Sequence, residues 1–308
     1  MLISDNATAH NDNASPLVDC LFFGDVVGKA GRLAVKTFLA EHFVPQRNTV
    51  VLANGENATH GFGLSENHYN ELLGYGIDVL TNGNHVWDRK DIVGYIDNAE
   101  RLLRPHNMAS PSPGTGVKVF NFTFPNGQTV TLGVLNLIGQ VFMGHYNSPW
   151  EALRDGMAEL TAKTNLVFLD VHAEATGEKA ALAYAADHLG ASAFVGTHTH
   201  VQTADFRCFP NGMGFITDAG FNGSHDSIIG MDKAIAFKRL ETALPIRPDV
   251  AESGQMQANA VCFTLNTKTG RCEGIQTFNP VFSAPAKQHA VVGDTKALAS
   301  ADVPAGSC

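Results

Sequence analysis

No stretch of the chain is apolar for the roughly 20 residues that a membrane-spanning helix needs. Cysteine is sparse: Cys20, Cys208, Cys262, Cys272 and Cys308 are odd in number and contain no C-x-x-C pair. That pattern argues against a cysteine-built zinc site and against a disulfide framework. Cys20 lies in an apolar run and reads as core, whereas Cys308 is terminal and reads as exposed. Basic residues are outnumbered, 21 Lys and Arg against 30 Asp and Glu, which leaves a net charge of −9. A general nucleic-acid binder or a partner for anionic membranes is therefore unexpected. A small nucleotide is not excluded, because a metal site can supply local positive charge. Residues 1–15 lack the basic and apolar blocks of a signal peptide, and a cytoplasmic location is expected. The dinucleotide fingerprint is also missing. Gly24-x-x-x-Gly28-x-x-Gly31 has the wrong spacing, and no Lys-Ser/Thr pair completes a phosphate loop.

What is present is an ordinary globular composition, 44% hydrophobic and 17% charged over 308 residues, enough for a sizeable core. Residues 1–16 read as a disordered tail, 17–283 as the folded domain and 284–308 as a loose tail rich in Ala, Gly and Pro. Apolar runs at 17–23, 49–53, 77–80, 166–169 and 191–195 read as strands. Helical patterns follow at 29–43, 65–73, 89–103, 150–162, 176–190 and 232–244. Hairpins are expected across Pro125-Asn126-Gly127-Gln128 and Asn211-Gly212, and a closing strand pair at 260–265 and 274–278. Residues 220–230 read as a polar, Gly-rich loop. The alternation of strands and helices, with hairpins added, gives an α/β fold containing mixed sheet.

The strand ends carry the chemistry. Asp25, then Glu56 and Asn57, then Asn84 and His85, then His172, then His198 and His200 each follow an apolar run. Ligands of open α/β sheets bind beyond the carboxyl ends of the strands, so parallel neighbours would bring these groups to one rim. Two carboxylates, two amide oxygens and three imidazoles are too many for one tetrahedral ion. They suit two ions if a carboxylate bridges. A mixed nitrogen and oxygen set without thiolate favours Mn, Fe or Zn over Ca. Paired ions about 3.5–4 Å apart can activate a water and hold both oxygens of a phosphoryl transfer. Asp170 and Glu174 flank His172 and could orient it or a neighbour. Arg104 could hold a phosphate or cap a helix. His60, His106, His145 and His225 fall in loops, where solvent exposure is expected.

These segments resemble the calcineurin-like metallophosphoesterases. Gly83-Asn84-His85 is similar to that superfamily's Gly-Asn-His signature, and Gly196-Thr197-His198-Thr199-His200 to its terminal Gly-x-His-x-His. The closer resemblance is to the YmdB-like branch of 2′,3′-cyclic nucleotide phosphodiesterases. It runs through Gly24-Asp25-Val26-Val27-Gly28, Ala53-Asn54-Gly55-Glu56-Asn57-Ala58, Gly83 to Asp88, His172-Ala173-Glu174-Ala175-Thr176 and Ile229-Gly230-Met231. The superfamily's Asp-x-His is Asp25-Val26-Val27 here, and its bridging Asp is Glu56. Both departures are similar to that branch. The resemblance implies a four-layer α/β/β/α sandwich with mixed sheets and two metal ions, Fe, Mn or both, with Zn as an alternative. It implies that Glu56 bridges, with Asp25, Asn57 and His200 around one ion and Asn84, His172 and His198 around the other. A metal-bridging hydroxide would attack a small phosphodiester or nucleotide, and His85 would assist the leaving oxygen without binding metal. A homo-oligomer is a further expectation.

Two other readings compete. Asp170-Val171-His172-Ala173-Glu174 faintly resembles the Asp-Ala-His-x-Asp of arginase-like ureohydrolases, although Asp226 and Asp232 are badly spaced for the second ligand pair such enzymes need. Alternatively, the metals stabilise a regulatory or RNA-linked scaffold without turnover.

Overall fold

The first strand sets the architecture of the computed structural model, which describes residues 15–252 and 254–283. Along β1 (Leu17–Phe23), Val18, Cys20 and Phe22 point to one face and Leu21 and Phe23 to the other, all five buried. A strand buried on both faces needs a packed layer on each side. After it come β2 (Asp25–Val26), α1 (Gly28–Thr37) with a π-helical turn at Phe38–His42, β3 (Thr49–Asn54), α2 (Glu66–Gly74), β4 (Val79–Thr81) and α3 (Ile92–Tyr95). The second half holds β5 (Val117–Thr123), β6 (Thr129–Ile138), α4 (Pro149–Thr161), β7 (Val167–His172), α5 (Thr176–His188) and β8 (Ala193–Thr197). The remainder is β9 (Arg207–Cys208), β10 (Gly214–Ile216), β11 (Phe221–Ser224), α6 (Lys233–Thr242), β12 (Gln255–Gln257), β13 (Ala260–Asn266), β14 (Cys272–Phe278) and β15 (Val281–Ser283).

Two main sheets run in the orders β14-β13-β1-β3-β4 and β5-β6-β7-β8-β10-β9. Both are mixed: β1, β3 and β4 are parallel, as are β6, β7, β8 and β10, while β13, β14, β5 and β9 join antiparallel. Phe22, Leu52 and Val79 of the first sheet meet Val134, Phe168 and Val195 of the second in an apolar interlayer. Residues of α1, α2 and α3 cover the outer face of the first sheet, and α4 and α5 that of the second. This is the expected α/β/β/α sandwich. Among the described residues no helix is long and apolar enough to cross a membrane.

Two features depart from the sequence reading. A third sheet, β15-β12-β11-β2, takes its β11 from residues 220–230, which read as a loop. Its β11 contains Gly223 and pairs in parallel with only two residues of β2, so tertiary contact rather than pattern makes it a strand. The helix expected over 89–103 shrinks to α3 and a 3₁₀ turn at Ile96–Asn98. Residues 101–103 instead lie extended beside the edge strand β4: Leu80 N donates to Arg101 O and Leu103 N to Leu80 O, both at 2.8 Å. That pairing satisfies an otherwise open edge. The tails assigned to 1–16 and 284–308 lie outside the described residues, Ser15 and Pro16 excepted, and so does Cys308. Cys20 is buried, as expected.

The interlayer gives a stability test. Phe168 is fully buried, stacked on Phe22 at 5.6 Å and edge-on to Phe263 at 5.7 Å. Phe168→Ala is expected to cost about 3–5 kcal/mol in urea unfolding. A loss below about 1 kcal/mol would mean that the two sheets do not depend on this contact.

Candidate metal centre

The parallel register of β3 and β4, and of β7 and β8, delivers the strand ends to one rim. Glu56 and Asn57 follow β3, Asn84 follows β4, His172 closes β7 and His198 follows β8, while Asp25 opens β2 beside the end of β1. Glu56, His172 and His198 each place a ligand atom within 4.8 Å of the others. His172 Nε2 lies 3.1 Å from Glu56 Oε1, 2.9 Å from Asn84 Oδ1 and 3.0 Å from His198 Nδ1. The second cluster adjoins it. His200 Nε2 is 3.9 Å from Asp25 Oδ1 and 3.4 Å from the Asn57 amide, which also reaches Glu56 Oε1 at 3.2 Å. Half a turn of the Asn57 amide presents its oxygen there instead. Glu56 thus stands between the two groups.

Each histidine is oriented from behind. His172 Nδ1 donates to Thr197 Oγ1 at 2.9 Å, and Thr197 in turn donates to Asp170 Oδ1 at 2.8 Å. His200 Nδ1 donates to the Ile229 carbonyl at 2.9 Å. His198 Nε2 faces Glu174 Oε2 at 3.1 Å. With one ring nitrogen so engaged, the other is left to turn its lone pair into the pocket, as in metal-ligating histidines. Asp25 accepts the His198 N–H on Oδ2, yet its Oδ1 is buried with no hydrogen-bond partner. An orphan carboxylate oxygen and converging imidazole nitrogens call for positive charge at the centre, and the donor set fits hard or borderline divalent ions. Gly83 keeps the space open: a Cβ there would lie 2.3 Å from His172 Nε2 and 2.4 Å from Glu56 Oε2.

Electrostatics agree. Burial by itself would raise the Glu56 carboxyl, but His172 and His85 outweigh it and hold it near 2. Burial disfavours a charge on His172, yet Glu56, Asp25 and Asp170 raise it to about 9. Burial, reinforced by His172, depresses His198 to about 3. Burial raises Asp25, and lifts Asp170 to about 7.

His85 stands apart from the ligand cluster. Its backbone N–H donates to Glu56 Oε2 at 3.0 Å, its Nδ1 meets Asp88 Oδ2 at 2.8 Å, and Phe62 packs edge-on against its ring at 5.1 Å. Asp88 closes the Gly83-Asn84-His85-Val86-Trp87-Asp88 segment, so its three-residue spacing from His85 was available in the sequence. Thr197 and Ile229 lie in segments that carry the family resemblance, but their orienting role is revealed only by the fold. Asp170 and Glu174 do orient histidines, His172 through Thr197 and His198 directly. Arg104 does not face the centre. Its guanidinium donates to the carbonyls of Pro105, Ser112 and Pro113. His60, His145 and His225 are exposed, whereas His106 is half-buried. Asp226 pairs with Lys233 and Asp232 caps α6, which leaves the ureohydrolase reading without its second ligand pair.

The chain matches the model of a family described as YmdB-like protein over residues 21–278. It is 41% identical over 256 residues to the 2′,3′-cyclic-nucleotide 2′-phosphodiesterase of Bacillus subtilis (strain 168), covering 83% of this chain and 94% of that one. A crystal structure described as a novel phosphatase of Mycoplasma pneumoniae superposes with a TM-score of 0.78 at 32% identity, covering 87% and 95% of the two chains. The calcineurin-like phosphoesterase YfkN of Bacillus subtilis shares the fold, with a TM-score of 0.51 at 14% identity over 87% and 90%.

A cation entering this centre must displace the proton that His172 keeps up to about 9. Manganese binding is therefore expected to release protons and to tighten as pH rises toward that value. Titration calorimetry in buffers of different ionisation enthalpy measures the release. A pH-independent affinity between 6.5 and 9 would contradict the placement of His172.

Proposed function

Because the chain belongs to the YmdB-like protein family and is a phosphoesterase, we propose that it hydrolyses small phosphodiesters, 2′,3′-cyclic nucleotides among them, at a centre for two metal ions. The observation that carries this reading is the set of three imidazoles, each held at one ring nitrogen: the other nitrogen of His172 faces Glu56, that of His200 faces the partnerless oxygen of Asp25, and that of His198 converges on His172 Nε2. In this reading Asp25, Asn57 and His200 hold one ion, Asn84, His172 and His198 the other, and Glu56 bridges. Fe or Mn suits the nitrogen and oxygen donors, with Zn as an alternative. Bound there, the ions would lower the pKa of water and neutralise charge on the phosphoryl oxygens.

The chain's own groups do the rest. Asp88 holds Nδ1 of His85 and so leaves Nε2 free for the substrate. As hydroxide adds to phosphorus and the sugar oxygen's bond to phosphorus breaks, a proton can pass from Nε2 to that sugar oxygen, so that ring opening leaves a hydroxyl and a phosphomonoester. Phe62 offers an apolar surface beside that histidine, suited to a nucleoside rather than to phosphate alone. A cytoplasmic location fits such a substrate.

His85→Ala is expected to keep its metal content and to lose about 10²–10⁴-fold in kcat on 2′,3′-cyclic nucleotides. On a p-nitrophenyl phosphodiester, whose leaving group needs no proton, the loss should be much smaller. Equal losses on both substrates would remove the proton-donor role, and unchanged turnover would remove His85 from the reaction. A metal-loaded wild type that leaves every cyclic and linear phosphodiester intact, with its site filled, would favour the scaffold reading instead.

A further inference from the structure

Two of the seven proposed ligands have backbones that side chains rarely adopt. His198 has φ of 99° and His200 φ of 64°, both left-handed, with Thr199 between them. Neither is glycine, so some external contact must hold the turn. Beneath it lies a charge pair that the proposed reaction does not use. Lys179 Nζ, from α5, meets Asp218 Oδ2 at 2.8 Å, and both residues are fully buried. The same Oδ2 accepts the Thr199 N–H at 3.1 Å and the Thr199 hydroxyl at 2.7 Å. Oδ1 of Asp218 accepts the Gly220 N–H at 2.8 Å, and its backbone carbonyl accepts the Thr203 N–H at 3.1 Å.

The neighbouring chain is shaped to admit the pair. Gly196 passes so close that a Cβ would lie 1.8 Å from the Thr217 carbonyl oxygen and 2.9 Å from Cδ of Lys179. A fully buried lysine aimed at one carboxylate is costly to desolvate and gains little net stability over an apolar pair. Its worth here is geometric. The carboxylate grips Thr199 at two points, and the residues on either side reach different partners, His198 Nδ1 standing 3.0 Å from His172 Nε2 and His200 Nε2 3.9 Å from Asp25 Oδ1.

We propose that Lys179, Asp218 and Thr199 form a positioning clamp that sets the left-handed turn of His198 and His200, and so tunes affinity at both ion sites at once. The inference rests on the two-ion reading above. None of the three residues is among the proposed ligands. They act through the backbone of the histidines, one from each proposed ligand set.

The test uses manganese alone, titrated into the metal-stripped full chain, with thermal unfolding recorded before metal is added. Thr199→Val removes the hydroxyl bond while keeping the side-chain volume close. It is expected to unfold cooperatively and to bind manganese about 10–100-fold more weakly at both sites. Thr199→Ser restores the donor and is expected to restore affinity. Lys179→Met is expected to weaken binding in the same direction; if it fails to fold, Thr199→Val decides. Wild-type affinity in Thr199→Val overturns the clamp alone. So does a Thr199→Ser protein as weak as the valine variant, which would mark a packing effect. A wild type that binds no manganese overturns the two-ion reading, and the clamp with it.

Discussion

A neutral imidazole has one proton and two nitrogens, so fixing the proton on one side aims the lone pair on the other. Here the fixing partners are Thr197 for His172, the Ile229 carbonyl for His200 and Glu174 for His198. Remove these partners and the rings could turn or change tautomer, and the converging nitrogens would no longer define a centre. The orienting groups come from several parts of the fold: the end of β8, the loop before α6 and the segment after β7. The site's chemistry is therefore a property of the whole sandwich rather than of its short signature segments.

The sandwich contributes a second constraint. Parallel strands with helical returns place their carboxyl ends together, which gathers polar groups at one rim while the interlayer stays apolar. Asp170 shows how closely the two meet. It is fully buried, yet it accepts hydrogen bonds from Asn54 of β3, Thr81 of β4 and Thr197 of β8. One carboxylate thereby ties strands of both main sheets together directly behind His172. Such a group is costly to bury, and it is tolerated because each oxygen has donors.

The rim was readable from the sequence because each ligand follows an apolar run that could only be a buried strand. Asp25, Glu56, Asn84, His172 and His198 all sit at or just past such an end. The α/β class was likewise legible, since the runs alternate with helical periods, whereas the four layers were implied only by the family resemblance. The third sheet was not legible, because β2 and β11 are too short to show a period and owe their strand character to pairing with each other and, for β11, with β12. Residues 89–103 misled for a related reason. Their apolar spacing suits a helix, but the open edge of β4 offered residues 101–103 hydrogen bonds that the helix would have kept to itself. Lys179 and Asp218 were invisible, because an Ala-rich helix gives no hint that one of its lysines points inward.

The origin of the donors has a mechanical consequence. Glu56, Asn57 and Asn84 hang from the first main sheet, His172, His198 and His200 from the second, and Asp25 from the small third one. Any ion gripped by them would bolt separate slabs of the protein across their seam. The four described cysteines are all free thiols, so such a rivet would be the molecule's reversible counterpart of a disulfide, tightening the joint when cations are plentiful and loosening it when they are scarce.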